Sequence, residues 1–205
     1  MKNFINVGPT EDEQEQQIKN WIKENGLQIV AGVAIGLSAI WGLDAYKNYQ
    51  HTQALEARSH YLSLSVNPNN STSYNTLQND FAESAYTQEA ALVLARDAVV
   101  AENYEQALSY LTPLTSAEDT TIAHTAKLRV ASIHLEQQAY DKALSALSID
   151  KDSQFSGLFN EAKADVYVAQ GKLELAKQHY QLAKAQISQD SQLQALIQIK
   201  LDDLN

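Results

Sequence analysis

The octapeptide YEQALSYL at residues 104–111 returns as YDKALSAL at residues 140–147, and a weaker copy, LELAKQHY, occupies residues 173–180. The fourth residue of each copy is an alanine: Ala107, Ala143 and Ala176. These alanines are 36 and 33 positions apart, and a bulky residue follows each of them four positions later, about one helical turn. The pattern predicts three helices that bury the same stripe of side chains.

A second set of alanines precedes the first by twelve positions and repeats with the same two spacings: Ala95, Ala131 and Ala164. Small residues at both positions let two antiparallel helices cross closely, because larger side chains would hold the backbones apart. A period near 34 residues with two small positions is typical of the tetratricopeptide repeat, and Gly171 occupies the turn of the third pair. The alternative is a nonrepetitive helical bundle whose alanines align by chance. Two independent small positions with equal spacing favour the repeat.

The composition is also that of an all-α protein. Only seven Gly and three Pro occur in 205 residues, and four of the glycines lie between Gly26 and Gly42, so few helix-breaking residues remain downstream. Residues Gln192 to Leu204 place leucine and isoleucine on one helical face, which predicts a last helix that caps the stack. We therefore predict an all-α fold with a tetratricopeptide-like helical-repeat solenoid and a C-terminal capping helix.

The charge and the cysteine content exclude several classes of function. The formal net charge is −10, and about −8 of it comes from residues 51–205. Nucleic-acid binding requires clustered Lys and Arg, so we expect no nucleic-acid partner. The chain has no cysteine, which excludes disulfides, thiol catalysis and cysteine-based metal sites.

Upstream of the repeats, the stretch LQIVAGVAIGLSAIWGL at residues 27–43 is strongly apolar. No charged residue occurs from Asn25 to Leu43, and these 19 positions extend roughly 28 Å as a helix, close to the hydrocarbon thickness of a bilayer. A cleaved signal peptide is disfavoured because a long tail with an acidic run at Glu11–Glu15 precedes the stretch. A buried core helix is disfavoured because its glycines would weaken a soluble helix. We predict an uncleaved transmembrane signal-anchor helix.

This helix divides the chain into three predicted parts: a short cytoplasmic tail at residues 1–24, the membrane helix at 25–46 and a periplasmic repeat domain at 47–205. Lys19 and Lys23 precede the helix, whereas Lys47 alone follows it closely. The difference is a slight bias toward a cytoplasmic N-terminus.

Within the anchor, Gly32 and Gly36 form a Gly-x-x-x-Gly pair. Small residues at this spacing let two helices approach closely in lipid. The functional interpretation is packing against a membrane partner or a second copy of the chain. The alternative is a pair that arises by chance in a glycine-rich span, and the sequence leaves both open.

Residues with catalytic or metal-binding chemistry form no recognisable motif. The five histidines are scattered, and none has the spacing of metal ligands: His51, His60, His124, His134 and His179. The sequence has no glycine-rich phosphate loop and no nucleophile elbow. We therefore predict a protein that is not an enzyme and that uses no cofactor and no metal.

What remains is a binding surface. In this type of repeat, the first helix of each pair lines the concave face, and the register assigns nine residues to it: Leu92, Arg96, Val99, Leu128, Ser132, Leu135, Glu161, Asp165 and Val168. The leucines and valines are equally compatible with a core role. Arg96, Ser132 and Asp165 are the candidate partner-binding residues.

Several segments, distributed along nearly the whole chain, carry a resemblance to a known family: Glu24-Asn25-Gly26, Gly32-Val33, Gly36, Ala57-Arg58-Ser59, Leu128-Arg129-Val130-Ala131, Ala143-Leu144 and Ile199-Lys200-Leu201-Asp202-Asp203-Leu204. In this order and spacing, the chain resembles the YfgM family, the ancillary subunit of the SecYEG translocon. It departs from the family pattern at Leu27-Gln28, where family members often carry a basic residue. Lys19 and Lys23 partly replace that topology signal.

The resemblance implies a single-pass protein of the bacterial inner membrane, held in the membrane lipid by one helix, with a cytoplasmic N-terminus and a periplasmic repeat domain. It implies association with the SecYEG translocon and with a PpiD-like periplasmic chaperone, which would assist the transfer of translocated proteins. The alternative that it implies is negative regulation of an envelope stress response, in which the cytoplasmic tail binds a response regulator.

Overall fold

The computed structural model describes residues 10–68, 70–148 and 154–204, and within them it contains helices and no strand. The helices are α1 (Glu11–Val66), α2 (Ser71–Asp80), α3 (Ala85–Val100), α4 (Tyr104–Leu111), a 3-10 helix (Thr112–Ser116), α5 (Thr120–Glu136), α6 (Tyr140–Ala146), α7 (Ser156–Ala169), α8 (Leu173–Gln186) and α9 (Gln192–Asp202). The predicted all-α fold is confirmed.

The chain divides into two units, Met1–Leu55 and Glu56–Asn205. The described part of the first unit is the N-terminal portion of α1. Among the described residues, α1 alone is long and apolar enough to cross a membrane, judged by length and composition, and its most apolar window is not buried within the protein. Residues 1–9 of the predicted tail lie outside the described residues. The boundaries predicted at residues 24 and 46 stay predictions.

In the second unit the helices form the predicted pairs: α3 with α4, α5 with α6, and α7 with α8. The second helices begin at Tyr104, Tyr140 and Leu173, the first residues of the three repeated octapeptides. All six repeat alanines are buried: Ala95, Ala107, Ala131, Ala143, Ala164 and Ala176. Burial of these small side chains is what the close crossing of paired helices requires.

The same short turn joins the two helices of each pair. After α3, the N–H of Asn103 donates to the carbonyl of Ala98 at 2.8 Å, and the N–H of Glu102 donates to the carbonyl of Val99 at 2.9 Å. Equivalent pairs of bonds follow α5 and α7. This is the Schellman motif, which places its middle residue in the left-handed region. The residues at that place have φ angles of 58°, 56° and 73°: Glu102, Gln138 and Gly171.

Two apolar clusters form the ends of the core of the second unit. The C-terminal portion of α1 packs against α2 and α3 through buried residues: Ala57, Leu64, Leu77, Ala90 and Leu94. At the other end, α9 covers α7 and α8 through a second buried set: Ala164, Ala176, Tyr180, Ala183, Ile197 and Leu201. The predicted C-terminal capping helix is confirmed as α9.

Candidate partner-binding groove

A groove of about 390 Å³ lies between α3, α4 and α5, and we call it the α3–α5 groove. Its lining is mostly apolar and comprises Ala95, Arg96, Val99, Val100, Tyr104, Leu111, Arg129, Ser132, Ile133 and Glu136. Two of the three predicted partner-binding residues, Arg96 and Ser132, lie in it. They occupy equivalent positions of consecutive repeats, 36 residues apart, so the stacking of α3 beside α5 brings them to one surface.

One end of the groove carries two arginines. Arg96 donates from Nε and Nη2 to Oδ1 of its neighbour Asp97, at 3.0 and 2.8 Å. Arg129 donates from Nη1 to the backbone carbonyl of Leu92 at 3.1 Å. Within residues 10–68, 70–148 and 154–204, Arg129 forms no ion pair with a carboxylate. Partial burial of its guanidinium and, second, the positive charge of Arg96 lower the pKa of Arg129.

Further along α5, Ser132 and Glu136 complete the wall of the groove. The Oγ of Ser132 donates to the carbonyl of Leu128 at 3.1 Å, which leaves the oxygen lone pairs directed away from the helix backbone as acceptors. Glu136 is exposed one turn beyond Ser132. The wall therefore changes from positive at Arg129 to negative at Glu136.

Asp165, the third predicted residue, lies elsewhere, in a polar cluster that joins α7, α8 and α9. Lys200 Nζ contacts Oδ1 and Oδ2 of Asp165 at 2.7 and 2.8 Å and Oε1 of Glu161 at 2.5 Å. The hydroxyl of Tyr180 donates to Oδ1 of Asp165. The side chains of Lys200, Glu161 and Asp165 are 27, 17 and 32% exposed. We call these four residues the Lys200 cluster; a role of Asp165 in partner binding stays a prediction.

The electrostatics of the Lys200 cluster favour a fixed ion pair at neutral pH. Burial lowers the pKa of Lys200, but the hydrogen bonds and charges of Asp165 and Glu161 more than offset it, so the pKa is raised above its ordinary value. Burial, followed by the hydrogen bond to Asp165 and the nearby carboxylate charges, strongly raises the pKa of Tyr180. Lys200 and Tyr180 therefore both stay protonated at neutral pH. The Lys200 cluster connects α9 to α7 and α8.

In the first unit, the predicted packing residues Gly32 and Gly36 lie on an open part of α1. A Cβ added at either glycine would meet no atom within 4 Å outside the local helix backbone. The side chains of Val33 and Ile35 beside them are exposed. The structure thus leaves room for another helix at this place, and the packing role of the glycines stays a prediction.

Sequence reasoning missed Arg129, although a signal was present. The chain has only three arginines, and two of them, Arg96 and Arg129, lie on first helices of consecutive pairs. Their positions in the repeat differ by three residues, about one turn, so the register alone does not align them. Their convergence on one groove becomes visible only when α3 and α5 are placed side by side.

The structure offers no obvious metal centre in the parts it describes. Across residues 10–68, 70–148 and 154–204, no group of three or more His, Asp or Glu side chains is arranged to hold a metal ion. The polar groups that do converge, in the Lys200 cluster, already bind one another. The α3–α5 groove combines a mostly apolar lining with charged residues, a geometry suited to binding a protein segment.

Known proteins are similar to this chain over nearly its whole length. An ancillary SecYEG translocon subunit of Neisseria gonorrhoeae is 29% identical over 204 residues, covering 94% of this chain and 97% of the relative. The proteins of the same name from Haemophilus influenzae and Escherichia coli are 27 and 22% identical, and each comparison covers at least 95% of both chains. No solved structure matches.

These relatives confirm the resemblance carried by the segments from Glu24 to Leu204. A family model described as a tetratricopeptide repeat-like domain matches residues 19–205. That match includes the three helix pairs, the capping helix and most of α1. The chain belongs to the tetratricopeptide repeat-like domain family.

Proposed function

We propose that this protein is a non-enzymatic ancillary subunit of the SecYEG translocon. The observation that carries the proposal is the similarity, over nearly the full length of both chains, to relatives that bear this name. The family match at residues 19–205 includes the apolar part of α1 as well as the repeats, which supports a role that uses both. The paired helices and the α3–α5 groove support a role in binding proteins.

In this proposal the anchor at residues 25–46 crosses the bacterial inner membrane. The N-terminus is cytoplasmic and the repeat domain at residues 47–205 is periplasmic, as the lysine bias at Lys19 and Lys23 favours. The repeat domain docks a PpiD-like chaperone beside the secretion channel, so that translocated proteins pass directly to it. A reporter fused after Leu204 tests the orientation: activity in the periplasm is expected, and cytoplasmic activity would exclude this arrangement.

The central experiment is purification of the tagged full chain from native membranes in a mild detergent. Both SecYEG and a PpiD-like chaperone should co-purify. The matched control carries the same tag on a chain lacking residues 56–205, the whole second unit, which should lose the chaperone. Recovery of neither partner with the full chain would contradict the proposed function.

The Gly32–Gly36 face is proposed as the contact of the anchor with a membrane partner. A Gly32→Leu and Gly36→Leu double variant should reduce co-purification of the channel, because larger side chains prevent close helix approach. Gly42→Leu, at another open position of α1, is the control. Loss of self-association with unchanged channel recovery would assign the pair to a dimer of this chain instead.

A second candidate function is negative regulation of an envelope stress response through the cytoplasmic tail. The observation that favours it is an exposed segment at the start of α1, where Ile18, Trp21 and Ile22 follow the acidic run at Glu11–Glu15. Deletion of residues 2–17 separates the two functions. Regulation predicts altered stress signalling with channel association intact, whereas unaltered signalling would remove this candidate.

A further inference from the structure

Of the two arginines in the α3–α5 groove, Arg96 has an internal carboxylate partner and Arg129 has none in the described parts of the chain. Acidic residues outnumber basic ones by 25 to 15 in this chain, yet Arg129 pairs with no carboxylate in the described parts of the chain. Arg96 forms an ion pair with its neighbour Asp97 at 2.8 Å, and no second carboxylate among residues 10–68, 70–148 and 154–204 pairs with it. Two neighbouring guanidiniums repel each other unless an anion lies close to both. The groove therefore has a positive end in a domain that is otherwise acidic.

Apolar side chains lie directly beside this positive end. Val100 is 80% exposed and Val99 is exposed as well, while Ala95, Leu111 and Ile133 form a buried floor. An exposed aliphatic pair next to a partly enclosed apolar floor loses water favourably when another aliphatic side chain covers it. The groove thus offers an apolar contact and an anion contact at adjacent places.

The backbone spacing of Arg96 and Val100 along α3 is compatible with an extended peptide. Val100 follows Arg96 by one turn of α3, a rise of about 6 Å. In an extended peptide, side chains two residues apart point to the same face and are separated by about 6.6 Å. Glu136 lies two turns, about 10 Å, beyond Arg129 on α5, so the far end of the groove disfavours a second acidic group.

We propose that the α3–α5 groove binds a partner segment in which a carboxylate side chain stands two residues from an aliphatic one. The carboxylate contacts Arg96 and Arg129, and the aliphatic side chain covers Val99 and Val100. This inference rests on the proposed function in taking the repeat domain as a protein-docking module, and it adds the chemistry of the docked segment. Charge complementarity decides for an acidic segment over a purely apolar one.

The test uses the full chain in lipid nanodiscs with methyl-labelled valine and isoleucine, observed by NMR. The probe is the peptide acetyl-Gly-Leu-Gly-Asp-Gly-amide. One control peptide replaces Asp by Asn and the other replaces Leu by Gly. The Asp peptide should shift the methyl signals of Val99, Val100 and Ile133 in a saturable way, and each control peptide should bind about fivefold or more weakly.

Three variants locate the contacts. Arg129→Gln should remove the difference between the Asp and Asn peptides, and Arg58→Gln, an exposed arginine outside the groove, should preserve it. Because Arg129 also binds the carbonyl of Leu92, its variant is checked by thermal unfolding. Val100→Glu alters an exposed side chain, so it should weaken the Asp peptide by more than fivefold with an unchanged unfolding midpoint.

Equal binding of the Asp and Asn peptides would overturn the proposal in favour of a purely apolar occupant. Shifts that depend on protein concentration without peptide would overturn it in favour of a second copy of the chain. An effect of Arg58→Gln equal to that of Arg129→Gln would overturn it in favour of general charge attraction. Peptide binding without co-purification of the channel would contradict the proposed function alone, and co-purification without peptide binding would contradict the groove proposal alone.

Discussion

The contact between Lys200 and Asp165 joins residues 35 positions apart and is a partly buried ion pair of the repeat domain. The carboxylate of Asp165 also accepts a hydrogen bond from the hydroxyl of Tyr180, and Glu161 supplies a second carboxylate to Lys200. Three of the four side chains carry charge in a partly buried place. Removal of one partner therefore leaves the others without compensation, which costs more than the intact pair contributes.

We expect Lys200→Met to lower the free energy of unfolding of the repeat domain by about 1–3 kcal/mol, with the lower half favoured by the partial exposure of the cluster. The loss arises because two carboxylates, on Glu161 and Asp165, then face each other without a cation. Urea unfolding followed by circular dichroism measures it. Lys142→Met, on the exposed surface of α6, should change the stability by less than about 0.5 kcal/mol. Equal effects of both variants would contradict this account.

Tyr74, like Tyr180, has a raised pKa and should make the domain sensitive to alkaline pH. Burial, followed by the nearby Tyr110, raises the pKa of Tyr74 to about 12, against the opposing effect of the hydrogen bond from Gln78. The two tyrosine rings meet edge to face at 5.3 Å. The unfolded chain loses this proton near pH 10, before the folded chain does. The stabilisation is therefore fully present below about pH 10 and is lost as the pH rises toward 12.

The measurement is the urea midpoint of the full chain at several pH values between about 8 and 11.5. The midpoint should fall more steeply with pH in the wild type than in Tyr74→Phe, because phenylalanine has no proton to release. Tyr46→Phe, an exposed tyrosine of α1, is the control and should follow the wild type. A Tyr74→Phe protein with the full alkaline loss would show that other groups cause it.

Among the elements, the turns within the three helix pairs share one geometry, whereas the lengths of the helices differ from pair to pair. Glu102, Gln138 and Gly171 are 36 and 33 positions apart, the same spacings as the alanines, and all three have positive φ. Only the third turn uses glycine, the residue that adopts this region without a Cβ penalty. Two of the three turns therefore hold a side chain in a region that L residues disfavour.

Substitutions at these turns should have opposite signs. Gln138→Gly should stabilise the repeat domain by up to about 1 kcal/mol, because it removes the Cβ clash at φ 56°. Gly171→Ala should destabilise it by about 1–2 kcal/mol, because it introduces that clash at φ 73°. Thermal unfolding of the two variants beside the wild type measures both. A shift of the same sign in both variants would contradict the assigned turn geometry.

At the scale of the whole molecule, the features that the sequence predicted correctly are those that depend on one helix or on two adjacent helices. The starts of α4, α6 and α8 and the six buried alanines followed from spacing alone, because each is a property of one or two adjacent helices. The Lys200 cluster could not be foreseen, since it depends on how α9 docks against α7. The repeat register placed Arg96 and Ser132 on one surface, and both line the α3–α5 groove, whereas Arg129 joins them only through the lateral packing of α3 and α5. The role of these residues in partner binding stays a prediction.

The membrane assignment of α1 makes a prediction for the whole chain. A Val33→Lys and Leu37→Lys double variant places two charges in the apolar stretch, at a cost of about 5 kcal/mol or more for insertion. The wild-type protein should stay in the membrane fraction after alkaline carbonate extraction, and the variant should be released. Thr52→Lys and Glu56→Lys, with the same spacing beyond the stretch, form the control pair. Release of the wild type would exclude a spanning helix.

The recurrence of one turn geometry has a consequence for redesign of the molecule. Residues 104–139 begin at the first residue of α4 and end with the turn that follows α5, just before Tyr140. A duplicate of this segment inserted after Ala139 would meet, at both junctions, the backbone conformation it has in its original place. Longer versions of the protein, with additional copies of the groove wall, can therefore be designed by repeating residues 104–139.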